Sequence, residues 1–376
     1  MRKTMSAAGA AVVAAGLIAA AGPAAASGAA ATGATAGAVC KPAVKALEEL
    51  GTTGRTRPYA LGTADRTVGT SNDVPAFWEG ARVFRVPLPT GWAKGSVRAI
   101  NAKGLMVGVL DRANDQEHVL FSYRKGDRQV TLLTAPAQGL YAGIGVNDAG
   151  RVAGFDGLTP REWQDGRPVR ELPVPPGVHP ATRIQQVTGI NKRGDVLGLA
   201  NAYYSDDSGN EIWETYPVVW PAGGGPAKAL ATSGVPYISR SNTLAGIDDR
   251  GVVAATDVDG YHGGSHERGF VWKAPYTAAP TALAKLSGRD ELEVTGISPT
   301  TNRLVGTART YLDVSQPHAA VPTFQTGGGP VRALPVPRRD IDEGQAFAVS
   351  DDDRVAGTVS GKPVVWTCAS KQAYTP

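Results

Sequence analysis

Residues 146–154 read VNDAGRVAG. The same frame returns as INAKGLMVG (100–108), INKRGDVLG (190–198), IDDRGVVAA (247–255) and VSDDDRVAG (349–357). ISPTTNRLVG (297–306) fits with one extra residue, and LGTADRTVG (61–69) is a weaker seventh copy. The copies recur at intervals of about 40–57 residues, the period of propeller blades and far longer than a β-helix repeat.

Each copy carries the same local chemistry. An aliphatic residue closes one strand, and Asn, Asp or Ser follows, a residue type whose side chain bonds its own turn backbone. A second short strand then ends in Gly69, Gly108, Gly154, Gly198, Gly306 or Gly357, with Ala255 in the fifth copy. A small residue is required where backbones approach closely. A third strand follows with an aromatic: Trp78, Phe121 and Tyr123, Trp163, Trp220, Trp272, Phe324 or Trp366. After most of these comes a fourth segment, as in RVFRVPL (82–88) or PAKALA (226–231). Four short strands in seven units specify an all-β chain, a seven-bladed β-propeller with four antiparallel strands per blade.

The last copy stops at VVWTC (364–368), one strand short, while CKPAVKAL (40–47) matches the fourth strands and precedes the first full copy. A ring must join its first and last blades, because open sheet edges mispair. The N-terminal strand is therefore expected to complete the seventh blade. Cys40 and Cys368, the chain's two cysteines, fall on that seam and allow one pairing, a disulfide replacing the glycine turn of the other blades.

Upstream, Arg2 and Lys3 precede an apolar run and the small residues Pro23-Ala24-Ala25-Ala26, the layout of a secretory signal. We expect a signal peptide over 1–26, a flexible Ala/Gly/Thr-rich leader over 27–39, one propeller domain over 40–368 and a tail over 369–376. The product is expected to be secreted and monomeric, with no membrane span after signal cleavage. The formal charge of +4, which removal of Arg2 and Lys3 lowers to +2, has no accompanying basic cluster. Nucleic acid and anionic membrane are therefore excluded as expected partners.

The third strands PAFWEG (75–80), HVLFSYRKG (118–126), RGFVWKAP (268–275) and PHAAVPTF (317–324) resemble those of the HAF-repeat proteins, named for a His-Ala-Phe-like start to this strand. The resemblance covers nearly all of 58–368 and departs from the name in most copies, since the His occurs only at His118 and His318. It implies an exported, propeller-like protein and carries no assigned chemistry.

Function is expected on the face that bears the second-to-third and fourth-to-first connections, where length varies most. The longest is read as a loop, NAYYSDDSGNEIWETY (201–216). Its Tyr203, Tyr204, Asp206, Asp207, Glu211 and Trp213 suit a glycan, peptide or protein ligand, because rings stack on apolar faces while carboxylates accept hydrogen bonds. Tyr261 and His262, in TDVDGYHGGSHERG (256–269), are added to the ligand set. Asp257, Asp259, His262, His266 and Glu267 lack the spacing of a zinc helix or a calcium loop, so no metal or cofactor is expected. Asp148, Asp248, Asp249 and Asp351 to Asp353 sit in tight turns, where Asp serves turn chemistry. Neither a G-x-S-x-G elbow nor an H-E-x-x-H motif occurs, which leaves the catalytic residues of an enzyme unassigned. The leading expectation is an extracellular binding module. The alternative is a secreted hydrolase or lyase drawing residues from several blades around the central opening, and a third is a structural envelope protein.

Overall fold

The computed structural model describes residues 40–376 except 114–116, 138–142, 158, 232–238, 260–265, 311–319 and 338–342. The signal and leader segments expected over 1–39 lie outside the described residues. Among the described residues, 28 strands form seven four-stranded antiparallel sheets, each pairing its strands in sequence order except the last. These are the blades of a β-propeller. The innermost strands, from blade one to seven, are Arg57–Leu61, Lys94–Ile100, Gly145–Val146, Arg183–Ile190, Ser239–Ile247, Glu291–Ile297 and Gly344–Val349. The first-to-second and third-to-fourth turns share one face of the ring, and the other two connections share the opposite face.

The seventh blade is closed as its sequence requires. Ala43–Ala46 pairs antiparallel with Lys362–Thr367, in the register Ala43↔Thr367 to Ala46↔Val364. The Cys40–Cys368 disulfide spans 328 residues with a Cα–Cα distance of 5.8 Å. Leu47, Ala76, Trp78, Ala356 and Val365 pack into one cluster across the seam between blades seven and one. The final residues extend the clasp: Ala369–Gln372 forms a short helix, and Tyr374 exchanges both backbone hydrogen bonds with Ala333 on the outer edge of blade six.

The repeated residues have clear physical duties. The bulky third-strand aromatics Trp78, Phe121, Trp163, Trp220, Phe324 and Trp366 are fully buried. Four indoles also donate Nε1–H to a carbonyl just beyond the outermost strand of the preceding blade. Trp78 reaches Glu48 at 2.7 Å, Trp220 reaches Pro173 at 2.7 Å, Trp272 reaches Ala231 at 2.7 Å and Trp366 reaches Pro335 at 2.8 Å. One side chain thus fills the gap between blades and satisfies a carbonyl that would otherwise be orphaned. The second-strand glycine is imposed by a bulge in the innermost strand. At Gly306 a Cβ would fall 1.9 Å from the Glu293 carbonyl oxygen, where the register shifts between Val294 and Gly296.

Candidate functional site

The turn that follows each innermost strand builds a belt of hydrogen bonds around the axis. Asn101, Asn147 and Asn191 are buried, and each Oδ1 accepts backbone N–H groups of its own turn. Each Nδ2 then donates to the next blade: to Asn147 O at 2.8 Å, Asn191 O at 3.2 Å and Asp248 O at 3.0 Å. The other seams are bridged by Thr63 Oγ1 to Ala102 O, Asp249 N to Pro299 O, and Arg303 Nη1 to Asp351 O. Arg354 closes the circle from blade seven to Gly62 O and Asp65.

The turn carboxylates serve the same belt. Asp148 accepts from Ala102 N at 2.8 Å, Asp249 from Lys192 N at 2.9 Å, and Asp351 from Thr300 N and Thr301 N. Asp248 caps its own turn and pairs with Arg250, Asp352 holds Arg354, and Asp353 anchors Ser370 of the terminal helix. The belt encloses a cavity of about 520 Å³. Its lining is mixed: Leu61, Ile100, Val146, Ile190, Ile247 and Ile297 supply an aliphatic band, and the belt residues Asn101, Asn147, Asp148, Asn191, Asp249 and Asp351 supply polar groups. This cavity lies at the tight-turn end, opposite the face on which function was expected.

On that expected face the 201–216 segment is not a loop. Val196–Ser205 and Glu211–Trp220 pair continuously from Val196↔Trp220 to Ser205↔Glu211, so blade four's second and third strands run on as a hairpin. Its tip, Asp206–Asn210, is closed by Asp206 Oδ1, which accepts from Ser208 N and Asn210 N, while Oδ2 accepts from Asn210 Nδ2. Asn210, by its side chain first and then its N–H, holds the Asp206 carboxyl below its ordinary range. Gly209 supplies the positive φ, +81°. The innermost strand's pairing ends at Arg183↔Asn201, so Ala202–Ser205 projects with its axis-side edge unpaired by any described strand.

Strand alternation gives the ribbon two unlike faces. Ala202, Tyr204, Ile212 and Glu214 lie on the docked face: Ala202 is buried, and Tyr204 stacks on His179 at 3.7 Å between ring centroids. The Tyr204 hydroxyl donates to Glu214 Oε1 at 2.8 Å, and that bond is the main cause of its raised pKa. Tyr203, Ser205, Glu211 and Trp213 lie on the outward face. Tyr203 and Trp213 are cross-strand partners, 5.1 Å apart and inclined at 54°. They remain 46% and 41% exposed, respectively. A hydrogen bond to Glu211 raises the Tyr203 phenol above its ordinary pKa.

The expected ligand residues therefore divide. Tyr203, Glu211 and Trp213 converge on one exposed face, Tyr204 faces inward, Asp206 shapes the turn, and Asp207 is exposed at the tip. Tyr261 and His262 lie outside the described residues. His179 was missed because it sits in a fourth-to-first connection with no motif; only the fold brings it under Tyr204. Elsewhere on this face, Glu267 is ion-paired to Arg309, which also binds Glu293 at 3.0 Å. Burial, opposed by Arg309, raises the Glu267 carboxyl. His118 Nδ1 lies 2.5 Å from Asp111 Oδ1. Among the described residues, no group of three or more His, Cys, Asp or Glu is placed to hold a metal.

No family model and no curated protein matches the sequence. Solved structures match its architecture. The β-propeller domain of the trilobed protease from Pyrococcus furiosus, described with an open velcro topology, is 8% identical. It aligns over 84% of this chain and 94% of its own, with a TM-score of 0.51. The chain shares the propeller fold. PorZ, a surface component of the type-IX secretion system of Porphyromonas gingivalis, is 12% identical over 84% of this chain and 46% of its own, with a TM-score of 0.50. YCF48 in its peptide-bound form is 11% identical over 86% and 94%, with a TM-score of 0.49. At these identities the likeness concerns fold alone. Among the described residues, no helix is long and apolar enough to cross a membrane.

Proposed function

We propose that this chain is an exported binding module that recognises a peptide or protein partner through the outward face of the blade-four hairpin. One observation carries the reading: an exposed Tyr203–Trp213 pair on a ribbon held rigid from behind by Tyr204 on His179. Tyr and Trp are the residues most enriched at the energetic centres of protein interfaces. Their 54° inclination makes a notch that receives a side chain, where a flat platform would favour a sugar ring. The unpaired edge of Ala202–Ser205 offers backbone groups for strand addition by an extended peptide. Export is supported by the Arg2/Lys3 start with its apolar run and by the Cys40–Cys368 disulfide. We place the chain with the HAF-repeat proteins on the third-strand motifs and the seven-fold turn. The test is a parallel selection on the purified mature protein with a random peptide library and a glycan array. Peptide ligands competed by Trp213-directed blocking are expected; glycan ligands alone would replace the ligand class.

A further inference from the structure

At the channel end facing the hairpin side, three adjacent innermost strands build a stack of charges and rings. Arg57, the first residue of its strand, places Cζ 3.8 Å from the Phe347 ring centroid in blade seven and 5.3 Å from that of Tyr59. Arg98, from blade two, lies 4.1 Å from Tyr59. Arg57 thus contacts both rings, and Tyr59 is contacted by both guanidiniums. Arg57 stands four residues up its strand from Leu61 in the cavity wall, about 13 Å along the axis at strand spacing.

Most arginines near this channel are spent on carboxylates; these two are not. Among the described residues neither has an ion-pair partner, and the Nε of Arg57 is buried with no hydrogen-bond partner. Burial is the main influence on Arg57 and lowers its pKa; Tyr59 and Glu293 oppose it, while Arg98 and Arg55 add to it. A guanidinium remains charged regardless, so the site holds two cations that share the Tyr59 ring; the Arg98 Nε donates to Ser96 Oγ at 2.7 Å, while the Arg57 Nε is unfilled. Glu293, the carboxylate that faces Arg57, is already bound by Arg309. A desolvated, unsatisfied charge costs free energy unless something completes it.

We propose that Arg57 and Arg98 form an anion site in the channel mouth that takes the carboxylate of an organic ligand. The guanidinium fork matches a planar carboxylate with two parallel hydrogen bonds, and the half-buried Tyr59 supplies an apolar neighbour for the ligand's body. Entry is from the face that carries the hairpin, but the site stands on its own residues and does not depend on the hairpin's role.

The test is calorimetric titration of the mature protein with N-acetylphenylalanine and with D-glucuronate, each against its neutral counterpart, N-acetylphenylalanine amide and D-glucose. Saturable binding of one or both acids but neither neutral compound is expected, and which acid binds separates a peptide terminus from a uronic sugar. Arg57→Met/Arg98→Met is expected to weaken binding at least about tenfold. No acid binding to the wild type, or equal binding to the double variant, overturns the site. Tighter binding of inorganic phosphate overturns its preference for a carboxylate. If the double variant does not fold, arginine-labelled wild-type protein decides by NMR. The Arg57 Nε–H resonance must shift with added acid, and an unmoved resonance refutes the proposal.

Discussion

Replacing both cysteines, Cys40→Ala/Cys368→Ala, opens the covalent clasp while leaving the Ala43–Ala46 strand able to pair. Its size follows from the 328-residue separation: the chain-entropy relation gives about 6 kcal/mol at 25 °C for a loop of this length. Residual structure in the unfolded chain lowers that figure, so a loss of about 3–6 kcal/mol is expected. Urea unfolding followed by tryptophan fluorescence measures it, because Trp366 is fully buried two residues before Cys368. The midpoint must fall and the slope rise, since an unlinked unfolded chain exposes more surface. A loss below about 1 kcal/mol would refute the reasoning, since the clasp would then not be what restrains the unfolded chain.

Asn147→Ala removes a side chain that caps its own turn and bridges to Asn191. Thermal unfolding should show a loss of about 1–3 kcal/mol, and no loss would remove the belt from the account. Trp213 is 41% exposed whereas the other six tryptophans are at most 9% exposed. Acrylamide should therefore quench one accessible class that Trp213→Phe abolishes; quenching that persists would mean the hairpin is not presented as described. Hydrogen bonds from Lys125 first and Arg66 second hold the Glu79 carboxyl below its ordinary pKa. Its stabilising contribution is complete above the unfolded glutamate pKa and is lost as pH falls through the lower folded value. Wild type and Glu79→Gln should therefore differ in stability at neutral pH and converge in acid; a constant difference contradicts the pairing.

The turn Val146-Asn147-Asp148 and its relatives made the blade count legible, because each unit needs an Asx turn and a small residue at a fixed distance from it. Ring closure was legible from the missing strand after Trp366 and the spare one after Cys40. The belt was not: an Asn that caps its turn looks the same in sequence whether or not its Nδ2 reaches the next blade. The hairpin segment reads as a loop in sequence because Asp206 to Asn210 is strongly turn-forming and polar residues are interspersed through its flanks. Yet Tyr203, Tyr204, Ile212, Trp213 and Thr215 are strand-favouring residues, and their alternation about that turn is the signal that could have found it. The channel pair, Arg57 and Arg98, belongs to no repeat, so only the convergence of blades one, two and seven brings these residues together.

The decisive measurement is the affinity of a peptide selected on the wild-type protein for the Tyr203→Ala/Trp213→Ala variant. Aromatic residues at the centre of an interface cost about 2 kcal/mol or more when truncated, so binding should weaken at least about 30-fold while the melting temperature holds. Wild-type affinity in a folded double variant would place recognition elsewhere and contradict the proposed role of the hairpin.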